Sequence, residues 1–141
     1  MCIRDSFTID ACASKGHQRC KRFITPEEDF IKTDHDFDGE VVWMNPPYIK
    51  TKDGRGYTTA TFIDRAMEIH SNHHCAFAIL LESNMTGTKY FQRNFGSTHG
   101  WDDVGIKIYF PPGRIEFEGI NGGGNTKSSM VILIDGADDY W

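Results

Sequence analysis

The chain reads as an α/β domain whose sheet is mainly parallel and carries an antiparallel carboxyl-terminal edge. Three observations lead there. Two continuous apolar runs, 41–44 and 75–81, suit strands buried on both faces. An amphipathic stretch over 59–70 lies between them, with Phe62, Ile63, Ala66, Met67 and Ile69 on one side and Asp64, Arg65 and Glu68 on the other. Beyond residue 103 the helical period gives way to alternating strands joined by turns.

Taken in order, residues 1–6 fit no element and are expected to be non-native or disordered, with a single domain over 7–141. Phe7, Thr8, Ile9 and Asp10 alternate and predict a strand ending at Asp10. The next residues, Ala11, Cys12, Ala13 and Ser14, are small enough for a ligand to approach the backbone. Residues 15–18 make a polar turn or short helix, and 22–25 a short second strand. Thr25, Pro26, Glu27, Glu28 and Asp29 then predict a helix start, with Thr as N-cap, Pro at the first position and acids in the first turn.

The 41–44 strand stops at Asn45-Pro46-Pro47-Tyr48, because two prolines cannot continue a ladder. A polar, locally basic loop follows, and then the 59–70 helix, the 75–81 strand and a short helix over 88–95. Alternation at 104–110 and again at Ile115 and Phe117 predicts two strands about the turn Pro111-Pro112-Gly113. Gly122, Gly123 and Gly124 read as a loop tip, and 130–134 as a last buried strand.

Composition narrows the function. At 141 residues, 39% hydrophobic and 25% charged, the chain can bury one core. No apolar run approaches the ~20 residues of a membrane span and no signal-peptide h-region opens the chain, so a cytoplasmic location is the default and no membrane partner is expected. A net charge of −5 argues against a large nucleic-acid footprint but leaves room for a small basic lip. The four cysteines form no CxxC pair and read as free thiols. No metal site is predicted: the spacing of His70, His73, His74 and Cys75 is not a usual zinc pattern, and Cys12, His17 and Cys20 also fail.

The chemistry concentrates at the stiff turn. Asn45 offers an amide oxygen, the Pro46 carbonyl is a second acceptor, and Tyr48 supplies a π-face. Together they suit a planar group bearing an NH2. Accepting both amine hydrogens favours the pyramidal amine, whose lone pair can attack an electrophile. No metal or covalent nucleophile is required. The plainer reading is a structural Pro-Pro turn.

Asn45-Pro46-Pro47-Tyr48 resembles the catalytic tetrapeptide of S-adenosylmethionine-dependent amino-group methyltransferases. The ordered set 7–14, 20–29, 42–48, 81–91, 113–117 and 128–133 resembles the phage-type DNA N-6-adenine methyltransferases, over nearly the whole chain from Phe7. The resemblance implies a Rossmann-like methyltransferase fold, S-adenosylmethionine as cofactor, and methylation of the exocyclic N-6 amine of adenine in DNA. It implies that Asn45, Pro46, Pro47 and Tyr48 are catalytic. It implies that Asp10, Ala11, Cys12 and Ala13 form the cofactor loop and that Glu28 or Asp29 meets the adenosine hydroxyls. Methyltransferases commonly carry a glycine-rich loop where this chain has Ala, Cys, Ala and Ser. The family also has a segment ahead of Phe7, so the chain is expected to be an amino-terminally truncated member.

The adenine would be flipped from the duplex to reach such a pocket. Lys50, Lys52 and Arg55 directly follow the turn, where flanking phosphates would pass, and Arg114 is a second candidate DNA contact. Plainer roles stand beside these: a turn cap for Asp10, helix-end charges for Glu28 and Asp29, a solvated loop for the basic cluster. The alternatives for function are methylation of RNA or of a protein glutamine, and an inactive DNA-binding domain.

Overall fold

The protein, seen in a computed structural model, is described over residues 7–14, 16–96, 105–112 and 128–134. The readings of 1–6, Lys15, Arg114, the alternation at Ile115 and Phe117, and Gly122 to Gly124 lie outside those residues. The strands are β1 (Ile9–Asp10), β2 (Arg22–Phe23), β3 (Val41–Met44), β4 (Ala76–Glu82), β5 (Ile106–Tyr109) and β6 (Ser129–Ile134). They form a six-stranded sheet in the order β2-β1-β3-β4-β6-β5. The helices are α1 (Thr59–Asn72) and α2 (Lys89–Phe95), and a 3-10 turn, Ser83–Gly87, precedes α2.

β2, β1, β3 and β4 run parallel, and β6 runs antiparallel to both β4 and β5. The expected α/β class, mainly parallel with an antiparallel carboxyl-terminal pair, is therefore what the chain adopts. Within that pair β6 lies inside and β5 outside. β6 is buried along its whole length and slots between β4 and β5, whereas β5 alternates between buried and exposed residues and takes the edge. A fully apolar strand needs cover on both faces, and a half-polar one tolerates solvent.

The apolar runs are explained by two packed faces. Val42, Met44, Phe77, Ile79 and Leu81 pack with Phe62, Ile63, Ala66 and Ile69 of α1 and Phe91 and Phe95 of α2. Their neighbours Val41, Trp43, Ala78, Leu80, Val131 and Leu133 form a second cluster with Phe7 and Cys20. Each large side chain so buried contributes about 1.5–3 kcal/mol.

The helix expected from Thr25 does not form. Thr25 Oγ1 accepts the Glu28 N–H at 3.3 Å and the Glu28 carboxylate accepts the Thr25 hydroxyl at 3.2 Å, so one turn closes. Asp29 then adopts φ +60°, which ends any right-handed helix. Its carboxylate accepts the Ile31 N–H at 3.0 Å and the Tyr57 hydroxyl at 2.8 Å. A distant tyrosine and an Asx turn override the local helix signals.

From β1 the chain reaches β2 on one side and, later, β3 on the other. The order of connection thus reverses between β1 and β3, and ligands of open α/β sheets bind beyond the carboxyl ends at such a point. Asp10 and Met44 stand at those ends.

Candidate active site

Met44 is the last residue of β3 in register, opposite Ile79 of β4. The chain then turns through Asn45-Pro46-Pro47-Tyr48. Thr59, the buried first residue of α1, clamps the far side of this turn. Its hydroxyl donates to the Pro47 carbonyl at 2.9 Å and accepts the Ile49 N–H at 2.8 Å, while its own N–H donates to the Ile49 carbonyl at 3.2 Å. The helix itself starts firmly because Thr61 Oγ1 accepts the Thr58 N–H at 3.0 Å. Tyr48 remains 41% exposed although its hydroxyl reaches the Leu80 carbonyl at 3.5 Å. Burial of that hydroxyl end, with Glu82 and Tyr90 nearby, pushes the phenol up from its usual range. The ring therefore stays neutral and offers a face.

A cleft of about 270 Å³ opens at the reversal point, lined by Ala11, Cys12, Ala13 and Ser14 and by Asn45 and Pro47. Ile24, Phe30 and Phe62 contribute apolar surface to it, and Thr25, Pro26 and Arg55 also line it. The small-residue loop continues the sheet: the Ala11 N–H donates to the Trp43 carbonyl at 2.9 Å and the Ala13 N–H to the Ile24 carbonyl at 3.0 Å. Asp10 is 3% exposed, and its carboxylate accepts the N–H groups of Cys12 at 3.3 Å and Arg19 at 2.9 Å. Burial raises the Asp10 pKa, opposed by those two bonds. The Cys12 thiol is pushed up by burial and by the Asp10 charge, so it is held as a neutral thiol rather than a nucleophile.

A second cavity, of about 450 Å³, is lined by Tyr48, Lys50, Glu82, Met85, Thr88 and Tyr90 among others. Asn45 and Pro47 border the first space and Tyr48 the second, so the tetrapeptide stands between them.

A family model described as DNA N-6-adenine-methyltransferase (Dam) matches residues 3–136. The chain belongs to the DNA N-6-adenine-methyltransferase family. It is also 27% identical over 143 residues to the DNA N-6-adenine-methyltransferase of Haemophilus phage HP1 (strain HP1c1), an alignment covering 95% of this chain and 70% of the relative.

In this family member the site residues expected from sequence divide into groups. Ala11, Cys12 and Ala13 meet Asn45 and Pro47 across the first cleft, and Asp10 is turned into the loop behind them. Glu28 is exposed and bonded to Thr25, and Asp29 is bonded to Tyr57 and Ile31. Lys50 borders the second cavity and Lys52 is exposed. Arg55 stands apart from the lysines: its guanidinium pairs with Asp53 at 2.9 Å, lies 4.6 Å from the Tyr57 ring centroid, and lines the first cleft. Arg114 is outside the described residues.

Sequence reasoning missed Thr59, Tyr57 and Tyr90. Thr59 carried one usable signal, a threonine at the first turn of a helix soon after a Pro-Pro turn. Tyr57 carried none, because its partner Asp29 is remote in the chain, and Tyr90 carried none, because Tyr48, which lines the same cavity, is remote as well.

At the surface, His73 Nδ1 lies 3.2 Å from Asp38 Oδ1 and 3.7 Å from Asp36 Oδ1, and Asp38 also accepts the His74 N–H at 3.0 Å. This exposed group ties the end of α1 to the loop before β3. Among the described residues no helix is long and apolar enough to cross a membrane.

Proposed function

We propose that this chain transfers a methyl group from S-adenosylmethionine to the N-6 amine of a flipped adenine in DNA. The observation that carries the reading is the tetrapeptide standing between two spaces, one for each reactant. The first cleft fits the donor. Its small side chains at 11–14 leave room beside the backbone, and Ile24, Phe30 and Phe62 offer an apolar surface to a flat ring. When bound, the donor supplies an electrophilic methyl group. Asp10 shapes the loop that holds it, and Arg55 closes the same cleft.

The chain's own contribution to the chemistry is electrostatic. Asn45 Oδ1 and the Pro46 carbonyl accept the two amine hydrogens and draw the lone pair out of conjugation. Both acceptors are preorganised, Asn45 by the end of β3 and Pro46 by a buried ring. Tyr48 stacks on the base, returning roughly 1–3 kcal/mol of the unstacking cost. Lys50, at the mouth of the second cavity, is suited to a flanking phosphate.

The test is to incubate the full chain with methyl-labelled donor and unmethylated duplex DNA, then digest the DNA and separate its nucleosides. Label in N-6-methyl-2′-deoxyadenosine, lost in Asn45→Ala, is the expected result. Label on cytosine, or in RNA or protein offered in parallel with no label in DNA, would overturn it.

A further inference from the structure

We infer that Tyr90, on the first turn of α2, is the second aromatic contact for the flipped base and a positioning residue for it. This deepens the reading above and rests on it. The second cavity has one aromatic face from Tyr48 and another side chain of the same kind from Tyr90, with Glu82 and Thr88 between the strand end and the helix. Two aromatic rings on one cavity beside an acceptor pair suit a planar heterocycle better than an extended chain or an ion.

The polar inventory points the same way. Among the described residues, three side-chain nitrogen or oxygen atoms are buried without a hydrogen-bond partner, at His35, Arg65 and Tyr90. Of these, only the Tyr90 hydroxyl belongs to a residue lining the cavity next to the tetrapeptide. Its polar neighbour is Thr88, whose hydroxyl donates to the Met85 carbonyl at 2.7 Å and accepts the Phe91 N–H at 3.3 Å as the cap of α2, and which also interacts with the phenol. A buried phenol whose contact with Thr88 falls short of full hydrogen-bond geometry gains from a ligand that completes it. A purine ring nitrogen is such a partner, and it would fix the rotation of the base so that its amine meets Asn45.

The placement follows from the fold. Tyr48 is anchored on the Leu80 carbonyl of β4, and β4 ends at Glu82 immediately before the turn that leads to α2. Thr88 as N-cap sets the start of α2, and Phe91 and Phe95 bury its far face, which leaves Tyr90 half-buried on the cavity side.

Tyr90→Phe and Tyr90→Leu test the assignment in the full chain, with unmethylated genomic DNA as substrate. Tyr90→Phe is expected to raise KM for DNA about fivefold, the worth of one neutral hydrogen bond. Tyr90→Leu is expected to raise it roughly tenfold or more through lost stacking. The donor Kd by calorimetry should stay at the wild-type value and the melting temperature of Tyr90→Phe should not fall, as it would if the hydroxyl had a merely structural role. Unchanged KM for DNA in Tyr90→Phe, or a parallel loss of donor binding, overturns the inference while leaving the methyltransferase reading intact. A wild-type chain that methylates no DNA overturns both. If Tyr90→Leu fails to fold, the Phe variant alone decides.

Discussion

Thr59→Val removes the clamp behind the catalytic turn while keeping the shape of the side chain. The threonine is 6% exposed, so the groups it serves cannot turn to water. Valine leaves the Pro47 carbonyl without its 2.9 Å donor and the Ile49 N–H without its 2.8 Å acceptor. Each group stranded in this way costs about 1–3 kcal/mol, so the pair is worth roughly 2–6 kcal/mol. That is a large part of the ~5–15 kcal/mol by which a domain is stable, and it lowers the melting temperature by roughly 10 °C. The catalytic effect is separate. Pro47 is next to the Pro46 acceptor, and an acceptor displaced by ~1 Å costs on the order of 100-fold in rate. The measurements are urea unfolding and kcat on DNA, with the donor Kd as a control that should hold. Thr59→Ser keeps the hydroxyl and should restore most of the rate. A Thr59→Val chain with wild-type kcat and stability would refute the clamp, and a slow Thr59→Ser chain would assign the effect to the methyl group instead.

Asn45→Ala should lower kcat by about 100- to 1,000-fold, as expected for one preorganised charge-stabilising group, with the melting temperature and donor Kd little changed. Arg55→Ala should weaken donor binding by calorimetry more than it raises KM for DNA, since its guanidinium lines the first cleft; the reverse order would return Arg55 to the DNA face. The Asp53 carboxyl is held below its usual range first by the Tyr57 N–H at 3.0 Å and then by Arg55. A folded pKa below the unfolded 3.8 means that the stabilisation is present above that value and is lost as pH falls through the folded pKa. Asp53→Ala should therefore melt below wild type at pH 7, and the difference should shrink in acid below about pH 4. Asp10 has the opposite sign. Its raised pKa means that the native state holds the proton more tightly, so its contribution to stability falls as pH rises through and above the unfolded 3.8. A donor-free melting profile should show this cost in wild type and not in Asp10→Ala.

Local chemistry made a good part of the protein legible. The run at 41–44 and most of that at 75–81 lie in strands, Val41–Met44 and Ala76–Glu82, because residues apolar on both sides have only a covered sheet to occupy. The helix over 59–70 extends by two residues to Asn72, set by the same apolar stripe that marks it in the sequence. The Asn-Pro-Pro-Tyr turn is visible for a still simpler reason: two prolines end a ladder by covalent structure. What failed was local as well. Thr25 to Asp29 carry every sign of a helix start, yet Asp29 turns left-handed to receive a tyrosine 28 positions away. No window of neighbouring residues contains that bond.

The sequence by itself determined the sheet class, the place where β3 ends and the four residues that stand there. Each depends on the backbone limits of proline or on the period of apolar side chains, and both are properties of neighbours along the chain. Tertiary structure alone decided that β6 enters between β4 and β5, that Thr59 clamps Pro47, that Arg55 turns towards the cleft rather than away with the lysines, and that Tyr90 shares a cavity with Tyr48. These depend on which surfaces meet once the core has closed, and on polar groups that can be satisfied only by partners the fold carries to them.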